Sequence, residues 1–386
     1  HSIFAKILRV EGEKLGYPSN FTIYDTADSK NLVKAILKEE QLDDKTYKPS
    51  LVLNRISAAK TNLISYREYL NNDELLAEDR MSAKPKLGLI YQKYSERLFR
   101  SGAMDFDDLL YWTNVLLRDF PDVLNKYQNR FKSIMVDEYQ DTNYSQYLIV
   151  KRLAAKFENI CVVGDDAQSI YAFRGANIEN ILNFRKDYPE VKTWKLEQNY
   201  RSTKHIVGAA NEVITHNKDR LKKTVWTSNT DGEKIKVTRN LTDNEEGMSV
   251  ARSIFENKMN NQSQDKDFAI LYRTNAQSRS IEEALRKMNI PYRIYGGQSF
   301  YQRKEIKDLI AYFRVVINPQ DEEALKRIIN YPARGIGKTT LDKLTVLAND
   351  WNKSLYSIIH SPEIRQSQFN AGTARKLETF ANMIET

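Results

Sequence analysis

Apolar positions in the N-terminal part of the chain recur with helical spacing. Residues 1–15 place their apolar side chains on one side of a helix, and residues 17–100 continue the pattern, with Leu32 and Val33 in one of its stripes. Residues 65–84 are polar and aperiodic, which predicts a loop. This part of the chain is therefore predicted to be helical apart from that loop.

Further along, short continuous apolar runs alternate with helical patterns. Residues 133–136 and 160–163 have the length of strands, and residues 147–156 between them have helical spacing. Continuous apolar strands between helices are typical of a parallel sheet that is covered on both faces. Cys161 lies in the second run, so we expect it to be a buried, inert thiol.

A second α/β region and a helical region complete the chain. Residues 246–258 and 280–288 have helical spacing, and the polar residues 257–267 predict a surface loop. From residue 305 onward the patterns are helical, the last over residues 374–383. Three apolar runs predict the strands of this region: residues 234–237, 268–271 and 292–295.

Composition narrows the class of protein. With 386 residues, of which 41% are hydrophobic, the chain is long enough for about two to four compact domains. No apolar run approaches the roughly 18–20 residues of a membrane helix, so we expect no membrane partner. One cysteine excludes a disulfide scaffold and fits a reducing cytoplasm, and the four histidines lack the spacing of a metal site. The net charge of +8 permits a polyanionic partner without requiring one.

Two adjacent carboxylates follow the first apolar run, in the segment VDEYQDT. Ligands of open α/β sheets bind at the carboxyl ends of the strands. In that position Asp137 can hold a Mg²⁺ ion that bridges nucleotide phosphates, and Glu138 can accept a proton from an attacking water. When these two residues are taken alone, the favoured alternative is that they merely begin a solvated loop.

The second apolar run leads into the segment GDDAQSIYAFRGA. Gly164 allows a tight turn, and the amide of Gln168 can orient a water molecule or sense a γ-phosphate. Tyr171, Phe173 and Arg174 combine aromatic rings with a cation, which suits single-stranded nucleic acid because bases stack on such rings. Taken alone, an ordinary pair of core aromatics is the favoured alternative.

The segment LEQNYRST offers a further candidate site. Ser202 or Thr203 can cap a helix that begins at Lys204. Tyr200 is then left to stack on a base, and Arg201 to reach a γ-phosphate in a nucleotide cleft. A helix cap beside a surface arginine is an equally good interpretation.

Together these segments resemble the UvrD/Rep/PcrA-type superfamily 1 DNA helicases nearly from end to end. The resemblance is carried, in chain order, by His1-Ser2, DFDDL, VDEYQDT, GDDAQSIYAFRGA, LEQNYRST, LYRTNAQSR and GGQSFYQRKEIKD. It implies an α/β fold of RecA-like P-loop NTPase motor domains, built on parallel sheets, with helical insert subdomains. The implied parts are residues 1–18 in the first motor domain, 19–98 as its helical insert, 99–195 as its remainder, 196–303 as the N-terminal part of a second motor domain, and 304–386 as the start of a second helical insert.

The resemblance also implies roles at the nucleotide. Asp137 matches the family's magnesium carboxylate and Glu138 its catalytic base. Gln168 matches the glutamine that couples nucleotide state to DNA. Tyr200 matches the base-stacking tyrosine and Arg201 the arginine that contacts the γ-phosphate.

At the DNA, the resemblance implies contacts to single strands from Tyr171, Phe173 and Arg174. Phe173 stands where the family more often has a tryptophan, so the strength of its stacking is open. Arg273 and Asn275, in LYRTN, match backbone contacts in the second motor domain.

The segment RGIGKTT near the C-terminal end contains GKT but does not match a phosphate-binding loop. The loop pattern GxxxxGK[ST] requires a glycine where Pro332 stands, and no continuous apolar strand precedes it. A glycine turn between helices fits better, with backbone amides that can hold a DNA phosphate. Gly335, Gly337 and Lys338 resemble the family's duplex-contacting hairpin, and a plain helix-to-helix turn is the alternative.

The resemblance puts the family's phosphate-binding loop before His1 and its last motifs beyond Thr386. We therefore expect the 386 residues to lack ATPase and unwinding activity, and a full-length parent to bind ATP and Mg²⁺. The parent is expected to move along single-stranded DNA, 3′ to 5′ as is usual in the family. It would unwind DNA at single-strand/duplex junctions, with repair or replication proteins as partners.

Two alternatives stay open at this point. The chain can be a non-catalytic DNA-binding or interaction module, although Asp137, Glu138, Gln168 and Arg201 are all intact, which argues against decay of the site. It can also be part of a helicase–nuclease subunit of the RecB or AddA kind.

Overall fold

The computed structural model describes residues 1–217, 221, 223–296 and 300–385, except for the side chain of Arg174. These residues form two compact units. The first consists of His1–Thr193, Asp219–Leu221 and Lys304–Thr386, and the second of Trp194–Lys218 and Lys222–Arg303. The finer domain boundaries that the resemblance implies stay a prediction.

The N-terminal region of the first unit is helical, as its periodicity predicts. Its short parallel pair of strands is β1 (Thr22–Ile23) and β2 (Ala103–Met104). Its helices are α1 (Ser2–Glu11), α2 (Thr26–Glu39), α3 (Pro49–Thr61), α4 (Tyr66–Leu70), α5 (Asp73–Met81) and α6 (Leu87–Arg100).

The loop predicted for residues 65–84 is wrong, because α4 and α5 lie there. Both helices are started by side-chain caps rather than by an apolar stripe. The hydroxyl of Ser65 accepts from the backbone N–H of Glu68, whose carboxylate accepts in return from the backbone N–H of Ser65. Polar caps of this kind cannot be recognised from the spacing of apolar residues.

A second parallel pair of strands lies in the remainder of the first unit. Strands β3 (Ile134–Val136) and β4 (Ile160–Val162) pair in parallel, as the two apolar runs predict. The helices around them are α7 (Phe106–Asp119), α8 (Pro121–Arg130), α9 (Tyr144–Ala154), α10 (Glu179–Leu182) and α11 (Phe184–Asp187).

Burial of this strand pair on both faces is not observed. Ile134 packs against the core formed by α1, α7, α8 and α9, but Met135 is 81% exposed and Cys161 is exposed as well. Successive side chains of a strand point to opposite faces, so one face of the pair is covered and the other is open. The prediction of a buried thiol at Cys161 is therefore wrong.

The second unit contains three α-helices in its described residues: α12 (Lys204–Ile214), α13 (Asp243–Asn261) and α14 (Ser278–Lys287). Helices α13 and α14 confirm the two predicted helices, although α13 extends into the predicted loop over residues 257–267. The strands predicted over residues 234–237, 268–271 and 292–295 are not formed in the described residues. Val237 and Leu271 are 91% and 94% exposed, and an apolar run becomes a strand only when its backbone finds a partner.

The C-terminal residues return to the first unit as six helices around their own apolar core. Arg314 connects this part to the N-terminal helices, because it pairs with Asp28 of α2 at 2.8 Å and with Asp321 of its own region at 2.8 Å. The helices are α15 (Lys304–Ile317), α16 (Glu322–Ile328), α17 (Lys338–Asp350), α18 (Leu355–His360), α19 (Pro362–Gln368) and α20 (Ala371–Glu385).

A buried ion cluster joins α3 to α7. The ammonium of Lys60 lies 2.7 Å from carboxylate oxygens of both Asp105 and Asp108, and all three side chains are buried. Burial opposes the charge of Lys60, yet the two carboxylates raise its pKa. Burial also disfavours ionisation of Asp105, but Lys60 outweighs it and lowers the pKa of that carboxyl. For Asp108, burial and then the neighbouring Asp105 raise the pKa to about 7.

Candidate active site

The carboxyl ends of β3 and β4 lie side by side. The register pairs Ile134 with Ile160 and Val136 with Val162, so the segments that follow both strands leave the sheet at one edge. The backbone N–H of Tyr139 continues the contact by donating to the carbonyl of Val163 at 3.0 Å. Residues 137–141 and 164–169, which the sequence singles out, are therefore neighbours.

Asp137 and Glu138 are both exposed at this edge. The backbone N–H of Glu138 donates to Oδ1 of Asp137 at 2.9 Å. Glu138 itself has φ +50°, a left-handed conformation that non-glycine residues adopt rarely and that is enriched at functional sites. Exposed carboxylate oxygens are the hard donors that Mg²⁺ prefers, so the side chain of Asp137 fits a magnesium ion that keeps waters and phosphates as its other ligands.

Gln140 ties the two strand ends together. Its side chain is fully buried, and its Nε2 donates to Oε2 of Glu138 at 2.9 Å. Its Oε1 accepts from the backbone N–H of Asp165 at 3.0 Å. Gly164 leaves room for this amide, since a Cβ at that position would lie 2.6 Å from Oε1 of Gln140.

Asp165 also holds the side chain of Gln168. Its Nε2 donates to Oδ2 of Asp165 at 2.9 Å, while Oδ1 of Asp165 accepts from the backbone N–H of Ala167 at 3.0 Å. A continuous path of hydrogen bonds thus runs from Glu138 through Gln140 and Asp165 to Gln168. The sequence pointed to both ends of this path but missed Gln140 and Asp165 as its middle.

Tyr171 and Phe173 follow directly and are not core residues. Phe173 is 77% exposed, and the two ring centroids lie 6.0 Å apart at an interplanar angle of 36°. Two exposed neighbouring rings are suited to stacking on bases, which stays a prediction for this chain. The side chain of Arg174 lies outside the described residues.

Tyr200 and Arg201 belong to the second unit. Tyr200 is 77% exposed, and its hydroxyl donates to Oε1 of Gln198 at 2.8 Å. Helix α12 begins at Lys204 as predicted, but its N-cap residue Thr203 makes no side-chain cap bond. Asn199 organises the turn instead, because its Oδ1 accepts from the backbone N–H of Arg201 at 2.9 Å and from that of Ser202 at 2.8 Å.

Arg273 and Asn275 lie in the same unit and are exposed. Oε1 of Gln277 accepts from the backbone N–H of Arg273 at 2.9 Å and from that of Thr274 at 3.0 Å. This small cap fixes the turn that carries both candidate residues. Their contacts to the DNA backbone stay a prediction.

Gly335 and Gly337 lie in the turn between α16 and α17, as the sequence predicts, and Lys338 is the first residue of α17. Gly335 has φ +69°, and the ammonium of Lys376 donates to its carbonyl at 3.3 Å. Oδ1 of Asn330 stabilises the turn by accepting from the backbone N–H of Ile336 at 3.1 Å. Helix α17 begins at Lys338, which is exposed, so a backbone amide and a cation lie on this surface.

Two family descriptions together match nearly the whole chain. Residues 1–189 match the UvrD/REP helicase N-terminal domain, and residues 194–371 match the UvrD-like helicase C-terminal domain. The chain belongs to the UvrD/PcrA-type superfamily 1 helicases. This membership implies a RecA-like α/β fold, with which the two parallel strand pairs of the first unit are consistent.

Relatives of this helicase family have closely similar sequences. The ATP-dependent DNA helicase PcrA of Staphylococcus aureus is 46% identical over 359 residues, which are 93% of this chain and 48% of the relative. The ATP-dependent DNA helicase PcrA of Staphylococcus epidermidis is 45% identical over the same length and share. The chain thus spans about half the length of the curated relatives it matches.

Two features are absent from the described residues. No group of three or more histidine, cysteine, aspartate or glutamate side chains is arranged there to hold a metal ion. None of the helices in that part of the chain has both the length and the apolar character that a bilayer span needs.

Proposed function

We propose that this sequence is part of an ATP-dependent DNA helicase. The whole protein translocates along single-stranded DNA from 3′ to 5′ and unwinds duplex DNA at single-strand/duplex junctions. It works in the cytoplasm, with repair or replication proteins as partners. Family membership and the similarity to the PcrA DNA helicases support this proposal.

ATP and Mg²⁺ are the proposed cofactors. Asp137 holds the magnesium ion, and Glu138 takes the proton of the attacking water. Gln168 is proposed to sense the γ-phosphate, Tyr200 to stack on the base, and Arg201 to contact the γ-phosphate.

The phosphates also need a loop of backbone amides and a lysine. The 386 residues contain no GxxxxGK[ST] segment, since Pro332 interrupts the one candidate. We infer that these residues alone do not hydrolyse ATP, and that the complete helicase chain does.

DNA is proposed to contact two surfaces. Single strands are proposed to contact Tyr171, Phe173 and Arg174, and Arg273 and Asn275 are proposed to contact the DNA backbone. The duplex ahead contacts the turn between α16 and α17, where backbone amides and a cation can hold phosphates. Gly335, Gly337 and Lys338 form that second surface.

One observation supports the catalytic half of the proposal most strongly. The predicted base Glu138 and the predicted sensor Gln168 are joined by the path through Gln140 and Asp165. A helicase must relate phosphate chemistry to DNA contact, and Gln168 lies on the segment that continues into Tyr171 and Phe173. A plain solvated loop after β3 has no need for this connection.

The test combines binding with unwinding. Fluorescence anisotropy across a salt series should show that the 386-residue chain binds a labelled single strand, with affinity that falls steeply as salt rises. The complete protein should unwind a duplex with a 3′ tail faster than one with a 5′ tail, and only with ATP and Mg²⁺. Binding without any ATP hydrolysis by the complete protein would instead support a non-catalytic DNA-binding module, and strand cleavage would support a helicase–nuclease.

A further inference from the structure

Gln140 uses both ends of its carboxamide on functional segments. Nε2 reaches the Glu138 carboxylate at 2.9 Å, and Oε1 reaches the backbone of Asp165 at 3.0 Å. A buried amide normally satisfies itself on whatever backbone is near, and an unsatisfied one costs about 1–3 kcal/mol. Here one partner is an exposed carboxylate, which water would satisfy equally well. The carboxylate of Glu138 therefore does not depend on this bond for its own solvation, whereas the buried Nε2 of Gln140 is satisfied by it.

The bond does restrict where the Glu138 carboxylate points. Glu138 is exposed, and its backbone is in a left-handed conformation. Because the side chain lies in solvent, few of the described contacts restrict its orientation. A general base works only within hydrogen-bond reach of the proton that it takes, and misplacement of a catalytic group by about 1 Å can cost roughly 10²-fold in rate. A fixed donor at 2.9 Å supplies that constraint.

The carboxamide of Gln140 is also hydrogen-bonded to the segment that follows β4. Asp165 binds Gln168 through Oδ2 and the backbone N–H of Ala167 through Oδ1, so these groups of the short turn are held to one another. A displacement of the turn would therefore shift Oε1 of Gln140 and, through the planar carboxamide, Nε2. The hydroxyl of Ser169 donates to the backbone carbonyl of Gln140 at 3.4 Å and adds a second tie.

We propose that Gln140 is a positioning residue that holds the carboxylate of Glu138 in a fixed position relative to the turn Asp165–Gln168. It does not touch the nucleotide in this account; it acts through Glu138. The role rests on the proposed function, in which Glu138 is the base of ATP hydrolysis.

The test is steady-state ATP hydrolysis by the complete helicase chain, with and without single-stranded DNA. Gln140→Leu keeps the side-chain volume and removes both hydrogen bonds. We expect the DNA-stimulated kcat to fall about 10- to 100-fold, with KM for ATP and affinity for DNA unchanged. Gly164→Ala should give the same kinetic lesion, because its new Cβ would displace Oε1 of Gln140 without removing the amide.

The matched control is Asn180→Leu. Asn180 is also a buried carboxamide, and its Nδ2 donates to the carbonyl and hydroxyl oxygens of Thr142, two residues beyond Gln140. Its loss should lower the unfolding free energy to a similar extent and leave kcat near that of the unaltered protein. Loss of kcat in Asn180→Leu equal to that in Gln140→Leu would overturn the proposal, since a merely structural role predicts that result.

A double variant separates this inference from the proposed function. If Gln140 acts through Glu138, then Gln140→Leu added to Glu138→Gln should reduce the residual rate no further. An additive loss, or an unchanged kcat in Gln140→Leu while Glu138→Gln is inactive, would refute the positioning role alone. Full activity of Glu138→Gln would refute the proposed function itself.

Discussion

Two acidic clusters in the first unit are built in opposite ways. Asp105 and Asp108 are buried beside the ammonium of Lys60, with each carboxylate 2.7 Å from it. Asp137 and Glu138 are exposed at the carboxyl ends of a parallel strand pair, and Glu138 is bound by a neutral amide. The first cluster has its countercharge built in, whereas the second leaves its charge available to a ligand.

The buried cluster therefore affects the stability of the fold, whereas the exposed cluster is suited to chemistry. A buried carboxylate must be neutralised inside the protein, because an uncompensated buried charge costs several kcal/mol. An exposed carboxylate stays hydrated and contributes little to folding, so it can be kept for a magnesium ion or a proton. Substitutions in the two clusters should therefore fail in different assays.

Lys60→Met should have the largest effect on stability. It leaves the buried carboxylates of Asp105 and Asp108 without their cation, which should lower the unfolding free energy by about 3–5 kcal/mol in urea denaturation. Lys38→Met is the matched control, because Lys38 pairs with Asp342 on the surface and should contribute about 1 kcal/mol or less. Equal losses of unfolding free energy in the two variants would contradict the expected difference between the buried cluster and a surface ion pair.

The buried cluster should also give the unfolding free energy a pH dependence. Burial and Asp105 raise the pKa of Asp108 from 3.8 to about 7, so between these values the folded state binds more protons than the unfolded state. This carboxyl therefore destabilises the fold as pH rises from about 4 to 7. Asp108→Asn should remove a loss on the order of 1–3 kcal/mol between pH 5 and pH 8, measured by urea denaturation. An unchanged pH profile would contradict the raised pKa.

Beside the exposed cluster, Phe173→Ala should affect binding rather than folding. Loss of one stacking ring should weaken binding of single-stranded DNA by about 1–3 kcal/mol in anisotropy titrations, with the unfolding free energy nearly unchanged. Phe157→Ala is the control, as Phe157 is partly exposed outside the candidate surface. If both variants bind equally well, the DNA assignment of Phe173 is wrong.

Lys338→Ala should have the smallest effect. Loss of one phosphate contact should reduce the salt dependence of duplex binding by about one unit of slope, with little change in stability. Lys353→Ala, beyond the other end of α17, should leave that slope unchanged. A slope that changes in neither variant would favour a plain helix-to-helix turn at Gly335–Lys338.

The sequence predicted the framework of the site but not its internal connections. Apolar runs over residues 133–136 and 160–163 predicted the parallel pair, and the position of Asp137 and Glu138 follows from it. Gln140 accepts a hydrogen bond from the backbone of Asp165, 25 positions away, and Lys60 pairs with Asp105, 45 positions away. The local spacing of apolar residues does not encode contacts at such separations. Strand predictions failed in the second unit because an apolar run such as residues 234–237 does not reveal whether its backbone finds a partner.

The central claim is that the exposed pair after β3 performs chemistry and does not stabilise the fold. Glu138→Gln in the complete protein tests it most directly, by single-turnover ATP hydrolysis together with urea denaturation of the same sample. We predict a rate lower by about 10²- to 10⁴-fold and an unfolding free energy within about 0.5 kcal/mol of the unaltered protein. A normal rate, or a loss of stability like that expected for Lys60→Met, would contradict the account.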